Sequence, residues 1–179
     1  MRCATKLMFH AKTRLLTTMI AAALSQALPT TVFAQASVEL KQTVAIGVNL
    51  RAKLVQEMVD SVFSFAEPGF QEVETSKYIT GILEANGFVI ERGIAGIPTA
   101  WTATWGTGGP LIALGSDIDG LLGLWQFPGT ADIKPMVPGA PGHGEGHNSG
   151  MPMMVAAALA VKEVMERDKI PGRLMLWPG

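Results

Sequence analysis

The chain has 179 residues, 48% of them hydrophobic, with 14 basic and 15 acidic side chains and a net charge of −1. That length suits one domain of ordinary size, and a charge so close to balance gives no support for a nucleic-acid-binding surface. One cysteine, Cys3, excludes an intrachain disulfide.

The first 34 residues read as a secretory leader. Arg2, Lys6, Lys12 and Arg14 form a basic start without an acid, Leu15 to Leu28 is mostly apolar, and Pro29 breaks the run. Val32 and Ala34 place small residues at the −3 and −1 positions of a signal peptidase site, which predicts cleavage after Ala34. Without these residues ten basic side chains stand against fifteen acidic ones, and no cysteine remains to act as a thiolate nucleophile. The apolar run is short and threonine-rich for a membrane span. No stable membrane anchor is therefore expected after cleavage, an uncleaved anchor being the alternative reading. The expected location is periplasmic or extracellular.

From Ser37 to about Phe65 the apolar residues Val44, Val48, Leu54, Val55, Met58, Val62 and Phe65 recur at helical spacing, which predicts one or two amphipathic helices. Glu67-Pro68-Gly69 ends that segment. A further helix is expected from Glu72 to Asn86, with Tyr78, Ile79, Ile82 and Leu83 inward and Asn86-Gly87 as its stop. Phe88 to Ile90 and Thr99 to Trp105, β-branched and aromatic between glycine-rich breaks, read as two strands. Leu111 to Leu114, continuously apolar, reads as a strand buried on both faces. Helices followed by strands indicate an α/β layer fold.

Ser116-Asp117-Ile118-Asp119-Gly120 follows that strand directly. Functional groups collect beyond the C-terminal strand ends of open α/β sheets, so two carboxylates at i and i+2 there suit a metal or an oriented ligand. A polar loop turning at Asp119-Gly120 is the plainer alternative. Gly123 to Pro141, rich in Pro and Gly, reads as a functional loop rather than a connector. Its Trp125 and Phe127 either line a pocket or pack onto the domain.

The chemistry concentrates in Gly142-His143-Gly144-Glu145-Gly146-His147-Asn148-Ser149-Gly150. Two of the three histidines stand at i and i+4 with a carboxylate midway. Four glycines disfavour a helix, at about 1 kcal/mol each, so this is not the two-histidine helix of H-E-x-x-H enzymes. A tight loop that delivers imidazole nitrogen and carboxylate oxygen to one point fits zinc and its first-row neighbours. A glycine-rich turn with two ordinary histidines remains the alternative. Asn148 or Ser149 is expected to cap a helix with Pro152 in its first turn, buried over Met153 to Val161 and exposed at Lys162, Glu163, Glu166 and Arg167. Pro171-Gly172 closes it, and Arg173 to Trp177 reads as another strand. A serine hydrolase using Ser149 is excluded, because His147-Asn148-Ser149-Gly150-Met151 lacks the G-x-S-x-G elbow.

This order of segments resembles the catalytic domain of the zinc-dependent aminoacylase and carboxypeptidase superfamily, metallopeptidase family twenty. The likeness is to its amidohydrolase branch, with hippurate and aminobenzoyl-glutamate hydrolases, over roughly Val44 to Gly179. It implies the N-terminal portion of a mixed-sheet, helix-flanked zinc-peptidase domain, with residues 35–179 as its start. It also implies that Asp117 matches a metal ligand, that Asp119 orients a ligand from behind, and that His147 binds metal. Glu145 stands at the family's cysteine ligand, His143 just outside the ligand set, and Asn148 where Asp is common. A carboxylate at 145 would shift preference from zinc toward Mn²⁺ or Co²⁺. Leu122 and Gly120 depart from the family's proline and alanine.

The resemblance further implies metal-assisted hydrolysis of an acyl-amino acid or dipeptide-like amide. The glutamate pair that serves as general base would follow soon after Gly179. On that reading the chain is a truncated part of a longer enzyme, with homodimers expected only in the full-length form. The competing expectation is a catalytically inactive, metal-binding fragment.

Overall fold

Apolar periodicity before residue 86 resolves into three helices. In the computed structural model the described residues are 36–179, and the basic leader with its cleavage site lies outside them. Helix α1 (Val38–Asn49) is capped by Ser37, whose Oγ accepts the Leu40 N–H at 3.2 Å. Helix α2 (Ala52–Phe65) follows after a short break and buries Met58 and Val62. Helix α3 (Val73–Ala85) buries Ile79 and Leu83. Its open N–H groups at Glu74 and Thr75 donate to the Glu67 carboxylate at 2.8 and 2.9 Å, so an acid in the preceding turn caps the helix and complements its dipole.

Four strands form one sheet: β1 (Val89–Arg92), β2 (Trp101–Thr107), β3 (Leu111–Ser116) and β4 (Gly172–Pro178), in the order β1-β2-β4-β3. The first two pairings are antiparallel and β3 with β4 is parallel. A parallel pair needs a crossover, and helix α4 (His147–Asp168) lies within it. The mixed sheet with flanking helices is the α/β architecture expected from the sequence.

Period-two alternation splits the strands by face. Trp101 and Ala103 of β2, with Leu174 and Leu176 of β4, are buried beside Met151, Val155, Ala158 and Leu159 of α4. Full burial of one such leucine contributes about 1.5–3 kcal/mol. The alternate residues Thr102, Thr104, Met175 and Trp177 are half-buried or exposed.

Two expectations need correction. Among the described residues Leu111 to Leu114 is not buried on both faces: β3 is the last strand of the sheet there, with Leu111 40% and Ile112 53% exposed. Helix α4 begins earlier than expected, at His147 after Gly146 in the left-handed region (φ 90°). Asn148 and Ser149 are therefore helical residues, not caps, and Pro152 lies one turn further inside. Trp125 and Phe127 sit in an arm closed at its neck by Leu121 pairing with Gly142. Phe127 lies under the Lys134 ammonium there, 5.1 Å from the ring centre.

Candidate metal centre

The site forms where β3 runs out and α4 begins. Ser116 ends β3, so Asp117 and Asp119 fall in the turn beyond the C-terminal end of a parallel strand. Gly146 takes a conformation that a side chain would strain, and the chain then enters α4 with His147 first. Gly150, one turn on, lets the helix approach that strand end: a Cβ there would lie 2.1 Å from Ser116 Oγ. Two backbone contacts fix the carboxylate turn, the Gly120 N–H to Glu67 carbonyl bond at 2.7 Å and the Pro68–Gly120 bridge.

His147 is the hub. Its Nδ1 is 2.9 Å from Asp119 Oδ1, while its Nε2 is 3.1 Å from Glu145 Oε2 and 3.5 Å from Asp117 Oδ2. Burial alone pulls the imidazole pKa down. The hydrogen bond to Asp119 and the charges of Asp119 and Asp117 outweigh that, and the net shift is upward from 6.5. Three carboxylates around one imidazole leave negative charge in excess even when the ring is protonated. The N-terminus of α4 favours carboxylates gathered beside it.

One imidazole with carboxylates is the kind of donor set that divalent ions take. Bonds of about 2.0–2.1 Å in a tetrahedral arrangement put two ligand atoms roughly 3.3 Å apart, and the two Nε2 to carboxylate distances bracket that value. Asp119 at Nδ1 is the carboxylate-histidine arrangement that aims Nε2 at a metal. The glutamate and aspartate side chains are 63% and 57% exposed, free to adjust. Among the described residues, no three His, Cys, Asp or Glu side chains are yet gathered so that they could hold an ion by themselves. The spacing is right pair by pair about His147, and the ring and carboxylates bind one another.

His143 faces the other way. Its Nε2 hydrogen donates to the Val62 carbonyl of α2 at 3.0 Å, leaving Nδ1 buried and without a partner among the described residues. Burial lowers its pKa, with the Val62 bond pulling against that. Asn148 makes a parallel contact, Nδ2 to the Val59 carbonyl at 3.3 Å. Together they staple the loop onto α2.

A cavity of about 360 Å³ opens beside the centre, lined in part by Asp117, Asp119, His147, Ile97, Phe70 and Glu72. Neither Trp125 nor Phe127 lines it. Sequence reasoning missed Glu72, a carboxylate only 7% exposed that accepts the Phe70 N–H at 2.9 Å. The signal available was a turn at Glu67-Pro68-Gly69 with an acid placed to begin the next helix.

No family model matches the chain. The chain is 37% identical over 111 residues to one of the subunits of p-aminobenzoyl-glutamate hydrolase from Escherichia coli (strain K12), a match covering 62% of this chain and 23% of that protein. Its fold is similar to that of a candidate aminohydrolase from methicillin-resistant Staphylococcus aureus, with TM-score 0.63, 19% identity, and coverage of 76% of this chain and 34% of that one. It is also similar to a Bacillus subtilis protein described as a dinuclear metal-binding peptidase of metallopeptidase family twenty. There the TM-score is 0.55 and the identity 25%, covering 70% of this chain and 34% of that one. The chain thus spans about a quarter to a third of the length of these relatives. In sequence the described residues are thus similar to part of an aminobenzoyl-glutamate hydrolase subunit, and in fold to part of a family-twenty peptidase.

Proposed function

We propose that this chain forms the His147 side of a metal-dependent amidohydrolase centre acting on acyl-amino acid or dipeptide-like amides. The observation that carries the reading is His147 itself, held through Nδ1 by Asp119 and facing Glu145 and Asp117 through Nε2. His147, Glu145 and Asp117 would hold a divalent ion, zinc first and Mn²⁺ or Co²⁺ as alternatives favoured by carboxylate oxygen. Bound there, it would polarise an amide carbonyl and acidify a water.

The chain's own residues do the rest. With an ion bound, Asp119 would keep the His147 proton on Nδ1 and leave the Nε2 lone pair for the metal. Ile97, Phe70 and Pro178 supply apolar wall to the adjacent cavity. Glu72 lies in the same wall, with its carboxylate oriented by the Phe70 N–H. Two relatives support hydrolysis of an amide: one belongs to an aminobenzoyl-glutamate hydrolase, the other is a dinuclear metal-binding peptidase. Secretion through the leader is part of the same proposal.

Calorimetric titration of zinc into the chain tests it. Binding that is lost in Glu145→Ala and His147→Ala is expected. Absence of binding, or binding indifferent to both substitutions, overturns the reading.

A further inference from the structure

A run of hydrogen bonds leads from the first turn of α3 to the His147 ring. The Glu67 carboxylate accepts the Glu74 and Thr75 N–H groups at 2.8 and 2.9 Å, one oxygen to each. The backbone carbonyl of the same residue accepts the Gly120 N–H at 2.7 Å. That N–H belongs to the Asp119–Gly120 peptide, and the carbonyl of this peptide lies 3.2 Å from His147 Nδ1. The Asp119 carboxylate reaches the same nitrogen at 2.9 Å.

The peptide unit makes this run stiff. It is planar and trans, so its N–H and C=O point in opposite directions and the Asp119 Cα lies in the same plane. Holding the Gly120 N–H on Glu67 therefore aims the Asp119 carbonyl at the ring. It also sets the point from which the Asp119 side chain reaches Nδ1. Among the described residues the Glu67 side chain makes no hydrogen bond to Asp119 or His147, so its influence on them passes through the backbone.

The turn that carries Glu67 is one the chain adopts only under constraint. Ala66 and Phe70, neither of them glycine, both take left-handed backbone conformations, with φ of 48° and 64°. Such residues persist where their surroundings over-determine them, and they gather at functional sites. Here the surroundings are in view. The Phe70 N–H donates to Glu72 at 2.9 Å, and Gly69 brings the turn so close that a Cβ there would touch Asp119 Oδ2 at 3.6 Å.

We propose that Glu67 is a positioning residue for His147. Its carboxylate, anchored on α3, holds its own carbonyl in place, and that carbonyl holds the Asp119–Gly120 peptide against the ring. The use of this coupling to a metal rests on the function proposed above, whereas the coupling itself does not. A residue that merely capped α3 would loosen the helix on removal and leave the ring as it was.

Long-range ¹H–¹⁵N NMR of the His147 ring and amide hydrogen exchange, on the full chain without metal and at fixed pH, test the proposal. The variants are Glu67→Ala, Glu67→Gln and Ser76→Ala. The last removes a bond from α3 to the Thr99 carbonyl, away from the turn, and controls for a loosened helix. Glu67→Ala is expected to speed Gly120 exchange about fivefold or more relative to α4 amides, the worth of a lost cap, and to move the His147 Nδ1 resonance. Glu67→Gln keeps one acceptor oxygen and should move both less, and Ser76→Ala should move neither. The native chain supplies a check that no variant's folding affects: the Gly120 amide should be protected, and so should those of Glu74 and Thr75, although first-turn amides ordinarily lack partners. A Gly120 amide that exchanges freely in the native chain, a His147 signal unchanged in Glu67→Ala, or an equal response to Ser76→Ala overturns the proposal. Because every readout is taken without metal, its failure is distinct from a failure of zinc binding.

Discussion

His143 and His147 stand four residues apart in one glycine-rich loop, yet the fold gives them opposite work. His143 is turned into the protein, donates to the Val62 carbonyl, and is held below the ordinary imidazole pKa by burial. His147 is turned toward three carboxylates, of which Asp119 and Asp117 raise its pKa against the cost of burial. The difference lies in what each ring faces. A hydrogen-bonded imidazole on a helix carbonyl is a fastener, whereas one with a carboxylate behind it and carboxylates in front is placed for the ligand role proposed above. Two histidines at one spacing are therefore not a ligand pair.

The largest effects should fall on the His147 side. Removing Glu145 or Asp117 by alanine substitution should lower zinc affinity by more than the 10–100-fold typical of a supporting residue, measured by competition with a chromophoric chelator. Affinity that is unchanged in both variants would remove them from the centre. Asp119→Asn should come next, with a loss of about 10–100-fold, because an amide at that position no longer holds the His147 proton by charge. An effect equal to that of Glu145→Ala would make Asp119 a direct ligand instead.

Much of the fold was legible in the sequence. Period 3.6 marked α1 to α3, β-branched and aromatic runs marked β1 and β2, and Arg173 to Trp177 after Pro171-Gly172 marked β4. What periodicity cannot carry is sheet order. Leu111 to Leu114 is apolar enough for an interior strand, yet among the described residues its one hydrogen-bonded neighbour is β4, some 60 residues along the chain. The clustering of the candidate residues was legible in outline for a different reason. Asp117, Asp119, Glu145 and His147 occur in two short segments, each with its own local punctuation. Glu72 belongs to neither segment and reaches the cavity only through tertiary folding. The opposite orientations of His143 and His147 were equally hidden, because they depend on where the carbonyls of α2 lie.

Smaller effects should fall on the His143 side and appear as stability. His143→Ala should cost about 1 kcal/mol in chemical denaturation, the net worth of one hydrogen bond, while the metal affinity falls less than in Glu145→Ala. The reverse ranking would erase the distinction between the two rings.

The smallest effect is the pH dependence, and the two histidines contribute with opposite sign. The folded pKa of His143 is depressed from 6.5. As pH falls through the unfolded value toward the folded one, the unfolded chain takes up the proton first and stability is lost. The folded pKa of His147 is raised. Its contribution is fully present below the unfolded value and is lost as pH rises through the folded one. Metal-free His143→Gln should therefore lose less stability on acidification below 6.5 than the native chain, and His147→Gln should lose more. Parallel curves would contradict both assignments.

The most direct measurement is long-range ¹H–¹⁵N NMR of the imidazole nitrogens while zinc is added to the full chain. The Nε2 resonance of His147 should shift as zinc binds, its Nδ1 should stay protonated toward Asp119, and both nitrogens of His143 should remain where they were. A response at His143, or none at His147, would contradict the placement of the metal centre.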